Sequence, residues 1–216
     1  MHISAPFIRR PVASSLLTVA ILLAYSELDP DLQAFAKGIL GGTAPPPESK
    51  CLVLLATRGT EPAWNDRLKS AGHRAIPLPD PEFLARLPMV AEVLRQFGLD
   101  ANTVLRPSAA TISELERRQF DVFLVSQASG ASCIPAQDDF VVRCGIESVL
   151  AFGGALPNGD LFVSILFSRV PIPRHVGDMF APLALGVKLS LMSQASRPLL
   201  SVDAREGLGS AARPDG

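Results

Sequence analysis

The 216 residues include one tryptophan, one tyrosine, three histidines and three cysteines, with no excess of either charge. Each shortage removes a class of function. Twenty Lys and Arg stand against 21 Asp and Glu, so the formal net charge is −1 and no basic field exists to hold a nucleic-acid backbone. The cysteines, Cys51, Cys133 and Cys144, are odd in number and form no C-x-x-C pair. That opposes a disulfide framework and a zinc knuckle, and reads as free thiols in a reducing compartment. Spacing alone does not decide a Cys133–Cys144 bridge. His73 and His175, the histidines of the folded region, share no metal-ligand spacing. No G-x-S-x-G, G-x-x-x-x-G-K-[ST] or G-x-G-x-x-G occurs, which removes the usual signatures of a nucleophilic serine and of a phosphate cradle.

What is present is a core. Apolar residues make up 48% and charged residues 19%, enough for one domain of ordinary size with short extensions. The 19 prolines are spread along the chain and mark turns. Residues 1–25 read apart from the rest. Arg9 and Arg10 precede Pro11, and an uncharged run follows from Val12 to Tyr25. Its length falls short of the ~20 residues that span a bilayer. A signal-peptide-like segment, a short membrane anchor and a buried or loosely attached helix all fit it. The stretch Ile3-Ser-Ala-Pro-Phe-Ile-Arg-Arg-Pro-Val-Ala-Ser-Ser-Leu-Leu17 resembles the start of the inner-membrane subunits of resistance–nodulation–division efflux pumps, where it opens the first membrane helix. Glu27, Asp29 and Asp31 break that pattern, and no later segment supplies further spans, so the chain is not a pump. The expected location is the cytoplasm, with inner-membrane association through residues 8–25 left open.

Beyond residue 25 the pattern predicts a helix over 30–40. Asp29 is placed as its cap, Pro30 in its first turn and Gly41-Gly42 past its end. A Pro-rich linker over 43–49 completes a unit of residues 28–50. Cys51-Leu-Val-Leu-Leu-Ala-Thr57 reads as a central strand and Ala75-Ile-Pro-Leu78 as an edge strand. Asp80-Pro81 starts a helix that Pro88 restarts and Gly98 ends. Thr111-Ile-Ser-Glu114 fits a capping box for a helix to Gln119. Strands are expected at 120–126, 138–143, 148–152 and 161–168, with Asn158-Gly159 as a hairpin signal. A last helix begins near Arg174, with Val176, Phe180, Leu183, Val187 and Leu191 on one stripe, either core packing or a dimer seam. A polar, disordered tail is expected from 193 to 216. The order predicts an α+β domain with one mostly antiparallel sheet of five to six strands flanked by helices.

Four stretches carry a second resemblance: Glu61-Pro-Ala-Trp-Asn-Asp-Arg67, Ala75-Ile-Pro-Leu78 with Pro88-Met-Val-Ala91, Ile134-Pro-Ala-Gln-Asp-Asp-Phe-Val141, and Gly159-Asp-Leu-Phe-Val-Ser-Ile-Leu-Phe-Ser-Arg169. In order and spacing, residues 51–192 resemble the GAF-like input domain of bacterial PAS/GAF sensor histidine kinases. The resemblance implies a six-stranded antiparallel sheet with helices on one face and a ligand cleft or relay surface on the other. It also implies a terminal helix that passes a signal to a kinase. The sequence contains no phosphoacceptor helix and no ATP-binding glycine boxes.

Within that frame Gln137, Asp138, Cys133 and Cys144 are the candidate ligand-binding residues. Asp138-Asp139 on a strand would point to opposite faces, which excludes a paired-carboxylate mechanism and leaves one of them, with Gln137, as a polar anchor at a cleft. Cys133 and Cys144 are candidates for a redox pair or an attachment point, with Arg143 as an electropositive neighbour. The expected function is a non-catalytic sensory domain that binds a small molecule and acts on a histidine kinase or as a homodimer through its terminal helix. An orphan docking module and a small thiol-dependent enzyme are the rivals. The sequence names no cofactor.

Overall fold

Residues 14–24, set apart by the sequence reading, form the strand at the centre of the sheet. The computed structural model describes residues 14–70 and 72–194. Arg9 and Arg10, most of the pump-like segment, and the tail beyond Gln194 lie outside the described residues. Strand β1 (Ser14–Ala24) is antiparallel to β2 (Lys50–Gly59) on one side, from Leu16 opposite Gly59 to Ala24 opposite Lys50. On its other side it pairs with β6 (Leu161–Ser168), from Ser14 opposite Ser168 to Ile21 opposite Phe162. Residues 14–24 form a strand and not a helix. The misreading has a physical cause: Ala20 and Leu22 enter the core on one face of the sheet, Ile21 and Leu23 the core on the other. A strand buried on both sides has no alternation, and its apolar run looks like that of a buried helix or anchor.

The remaining strands are β3 (Ala75–Leu78), β4 (Phe123–Val125) and β5 (Ser148–Ala155). The sheet order is β3-β2-β1-β6-β5-β4, with every neighbouring pair antiparallel. It is two three-stranded meanders joined through β1 and β6. The molecule is α+β, with one open six-stranded antiparallel sheet and seven α-helices among the described residues.

Helix α1 (Pro30–Ile39) starts where expected, its first turn held by the Leu32 amide donating to the Asp29 carboxylate at 2.9 Å. Helices α2 (Pro81–Ala85) and α3 (Pro88–Gln96) divide at Pro88, and the Phe83 amide donates to Asp80 at 2.7 Å. Helix α4 (Ala101–Leu105) was not foreseen. Helix α5 (Ala109–Arg117) is capped by Ser108, three residues before the predicted Thr111. The chain ends in α6 (Arg174–Gly177), a tight turn (Asp178–Phe180) and α7 (Leu183–Gln194). Together they make a stretch, Arg174–Ser193, long and apolar enough by length and composition to cross a membrane.

Helices cover both faces of the sheet, not one. Helices α2 to α5 and the segment 126–147 pack on one side around Leu84, Val93, Leu94 and Leu115. Helix α1 and the terminal stretch pack on the other, through Leu32 and Ala36 and through Phe180, Val187 and Leu191. Of the stripe expected on the last helix, Val176, Phe180, Val187 and Leu191 face this core, while Leu183 is exposed. Two glycines are sterically required. A Cβ on Gly153 would lie 2.3 Å from the Phe162 carbonyl oxygen, and one on Gly159, at φ +87°, 2.7 Å from Ile112.

Candidate functional site

The segment predicted as a strand at 138–143 is a single π-helical turn, Gln137–Val142. The Ala136 carbonyl accepts from both the Phe140 and Val141 amides, at 3.0 and 3.3 Å. A strand would send Phe140 and Val141 to opposite faces, whereas the wide turn lets both meet one core. Val141 is buried there, and the Phe140 ring sits edge-on between Trp64 and Phe167, at 5.7 and 5.0 Å. The turn is entered through Ala136 at φ +57°, a left-handed conformation that a Cβ-bearing residue adopts at a cost. Isolated π-turns and left-handed non-glycine residues both concentrate where a backbone is held for function.

One side chain holds the loop in front of this turn. The Gln137 Nε2 donates to the carbonyls of Ala128, Ala131 and Ile134 at 3.2, 3.2 and 3.0 Å, and its Oε1 accepts from the Gly130 amide at 2.9 Å. Both ends of the amide are therefore spent on backbone, and Gln137 is a staple of residues 128–134 rather than a free ligand anchor. Asp138 and Asp139 both face solvent, so the opposite-faces argument made for a strand does not describe them. Arg169 closes the far end: its Nε donates to the Cys144 carbonyl at 2.8 Å and its Nη2 to the Thr60 hydroxyl at 3.3 Å.

The four candidate residues do not converge on one cavity. Cys144 is buried in the core, Cys133 is half-buried, and Gln137 is turned into its own loop. The three cysteines are free thiols. Burial pushes the Cys133 thiol up, and the Glu92 carboxylate beside it adds to the shift. Burial takes Cys51 to about 12. Both shifts oppose thiolate formation near neutral pH, the condition for a thiol nucleophile.

Glu92 belongs to a relay that the sequence reading missed. Arg95 grips its carboxylate through Nε at 2.7 Å and Nη2 at 2.5 Å, and Gln96 Nε2 donates to it at 2.9 Å. These hydrogen bonds hold the Glu92 carboxyl down at about 2. The Gln96 Oε1 in turn accepts from the Leu124 amide at 3.0 Å, the outward N–H of edge strand β4. Helix α3 thus ties together the sheet edge and the neighbourhood of Cys133.

At the opposite end of the sheet, Lys50 Nζ and Asp160 Oδ1 form a buried ion pair at 3.1 Å, and Asn158 Nδ2 donates to Asp160 at 2.6 Å. The pair bridges β2 and β6 across the end of β1. Burial raises the Asp160 pKa more than Lys50 lowers it. Spaced 110 residues apart in sequence, the partners carry no local signal.

Two open depressions stand out among the described residues. One of about 270 Å³ lies between Gln119–Val122 and Arg174, Asp178 and Ala181. The other, about 330 Å³, is lined by Ser126, Gln127, Ser129, Ile146, Glu147 and Pro171. Neither includes Cys133, Gln137, Asp138 or Cys144. Among the described residues no group of three or more His, Cys, Asp or Glu is placed to hold a metal ion. No family model, no curated protein and no solved structure matches the chain.

Proposed function

We propose that the chain is a non-catalytic sensory or regulatory domain of the GAF type, in which the segment 126–142 is the element that responds. The observation that carries this reading is the construction of that segment. A left-handed Ala136 and a π-turn are held in place by one glutamine amide, against a fully packed face of a six-stranded antiparallel sheet. Such a segment has a second arrangement within reach, with the strain at Ala136 relieved and the Gln137 bonds exchanged for water. A small molecule that binds the released arrangement better shifts the population, and one that binds both equally shifts nothing. The raised thiols of Cys51 and Cys133 favour this reading over a thiol-dependent enzyme. A histidine kinase is the proposed recipient of the signal.

Thermal unfolding of the full chain in the presence of nucleotides, haem, amino acids and quinones tests it. A ligand at 100 times its Kd adds about 2.7 kcal/mol, or roughly 5–10 °C in Tm for a chain of this size. A rise of that order with one class and no chemical change in the compound supports the reading, and turnover of the compound contradicts it. A docking module without a small-molecule ligand is the second reading. The open form of both depressions favours it, and a flat Tm across the panel would select it.

A further inference from the structure

We infer that the loop 128–134 is a binding site for a small primary amine, whose ammonium group takes the place now held by the Gln137 amide. Three backbone carbonyls converge on a single nitrogen there. Those of Ala128, Ala131 and Ile134 lie 3.2, 3.2 and 3.0 Å from Gln137 Nε2. An amide nitrogen has two hydrogens, so it serves three acceptors only by sharing one of them. A primary ammonium has three, and its positive charge strengthens each bond. Converging carbonyls are the means by which a backbone replaces the hydration shell of a cation. The carbonyl cage therefore suits an ammonium in donor number and in charge, where its own glutamine falls one hydrogen short. The Gly130 amide donates to Gln137 Oε1 at 2.9 Å, which adds a second requirement, an oxygen acceptor near the nitrogen. A bare alkali ion would offer that N–H only a positive charge.

The surroundings favour a cation. Asp138 and Asp139, the two residues after Gln137, are exposed on the π-turn. Glu147 is exposed as well, and its carbonyl accepts from the Ala128 amide at 2.8 Å. Against these three carboxylates the segment 126–147 sets one basic residue, Arg143. Arg169, which reaches the segment from β6, is spent on the Cys144 carbonyl and the Thr60 hydroxyl. The same carboxylates oppose an acceptor that is itself negative, which selects an amino alcohol over an amino acid. Space for the rest of the molecule adjoins the cage. Ser129, between Ala128 and Gly130, lines the open depression of about 330 Å³ together with Glu147.

The inference rests on the sensory reading in one respect, since it names the ligand class that the released arrangement of 126–142 would take; the cage itself does not depend on that reading. Amine and Gln137 compete for the same carbonyls. The amine therefore enters only the arrangement in which Gln137 has let go, and this gives it the differential affinity that a population shift requires. Its head group must shed a strongly held hydration shell, so the cage takes it up only where the carbonyls are already in place. The backbone bonds from the Ala131 amide to the Ala128 carbonyl and from the Ile134 amide to the Ala131 carbonyl, at 3.2 and 3.1 Å, hold two of the three there without the glutamine.

Thermal unfolding of the full chain carrying Gln137→Ala, with ethanolammonium chloride added, tests the cage, because alanine removes the amide and leaves its space. The amine should return the Tm of this variant to that of the parent. It should act at several-fold lower concentration on the variant than on the parent, in which the amide competes. Gln137→Leu, which fills the space, should not respond. Tetramethylammonium chloride carries the charge without the donors and should leave all three proteins unchanged. Acetamide, which is neutral, should act more weakly than the amine on Gln137→Ala. No rise with ethanolammonium overturns the inference. So does an equal rise with tetramethylammonium, an equal response of Gln137→Leu, or a rescue by acetamide that the amine does not match. If Gln137→Ala does not fold, the parent decides: the NMR resonances of the Gly130 and Ala131 amides must move with ethanolammonium and stay fixed with tetramethylammonium, and fixed resonances with both overturn the inference. The two readings fail separately. A rescued Gln137→Ala beside a parent that answers no compound keeps the cage and contradicts the sensory role. An unrescued Gln137→Ala beside a parent that answers another class of compound overturns the amine alone.

Discussion

Gln137 closes four backbone groups with one amide, and its removal should show how much of the loop depends on it. Gln137→Leu keeps the bulk and removes all four bonds, while the Ala128 and Ala131 carbonyls keep the Ala131 and Ile134 amides as donors; a loss of about 1 kcal/mol in urea unfolding is expected, the low end for orphaned polar groups. The pair Lys50–Asp160 has a pH signature. Asp160 is raised above its ordinary 3.8, so the folded state holds that proton more tightly than the unfolded chain. Its contribution to stability is therefore greatest below 3.8 and declines as pH rises through the folded value. Lys50→Met removes the counter-charge and retains the apolar stem. It should cost about 3 kcal/mol at pH 7, where a buried carboxylate is left unpaired, and less towards pH 4, where that carboxylate takes a proton. Thermal melts of both proteins across pH 4–8 measure the difference; an equal defect at all pH values would contradict this account of Asp160. Residue types were legible in the sequence, and partners were not. Gln137 was singled out, but its acceptors are carbonyls that no pattern encodes. Lys50, Gln96 and Arg169 went unnoticed because each acts on a residue far along the chain.

At the scale of elements, local chemistry was a good guide wherever the signal is local. Asp29-Pro30 and Asp80-Pro81 start helices through side-chain caps, Pro88 divides two of them, and Asn158-Gly159 turns a hairpin. The guide failed where tertiary contact decides. Residues 120–126 pair over three positions only, and residues 137–142 coil into a turn because Phe140 and Val141 share a core. The largest misreading was β1, whose two buried faces erase the alternation of a strand. It has a direct consequence. A fragment beginning at residue 28 or 51 lacks the strand that joins the two meanders, and should be unfolded by circular dichroism and proteolysis. In the full chain, Ile21→Asp places a charge at a fully buried position and should have the same effect. A cooperative thermal transition in the fragment would contradict this topology.

The whole molecule is a sheet loaded from both sides. One face carries the stapled segment 126–142, and the other carries the terminal helix, whose Lys188 also touches the end of α5 around the sheet edge. A sensory role requires the first face to have two arrangements while the sheet between them stays intact. Native-state hydrogen exchange of the full chain, without added ligand, measures that most directly. The amides of Gly130, Phe140 and Val141 should exchange through a local opening of lower free energy than the amides of β1 and β6. Protection of the segment equal to that of the central strands, lost only when the whole chain unfolds, would contradict the account.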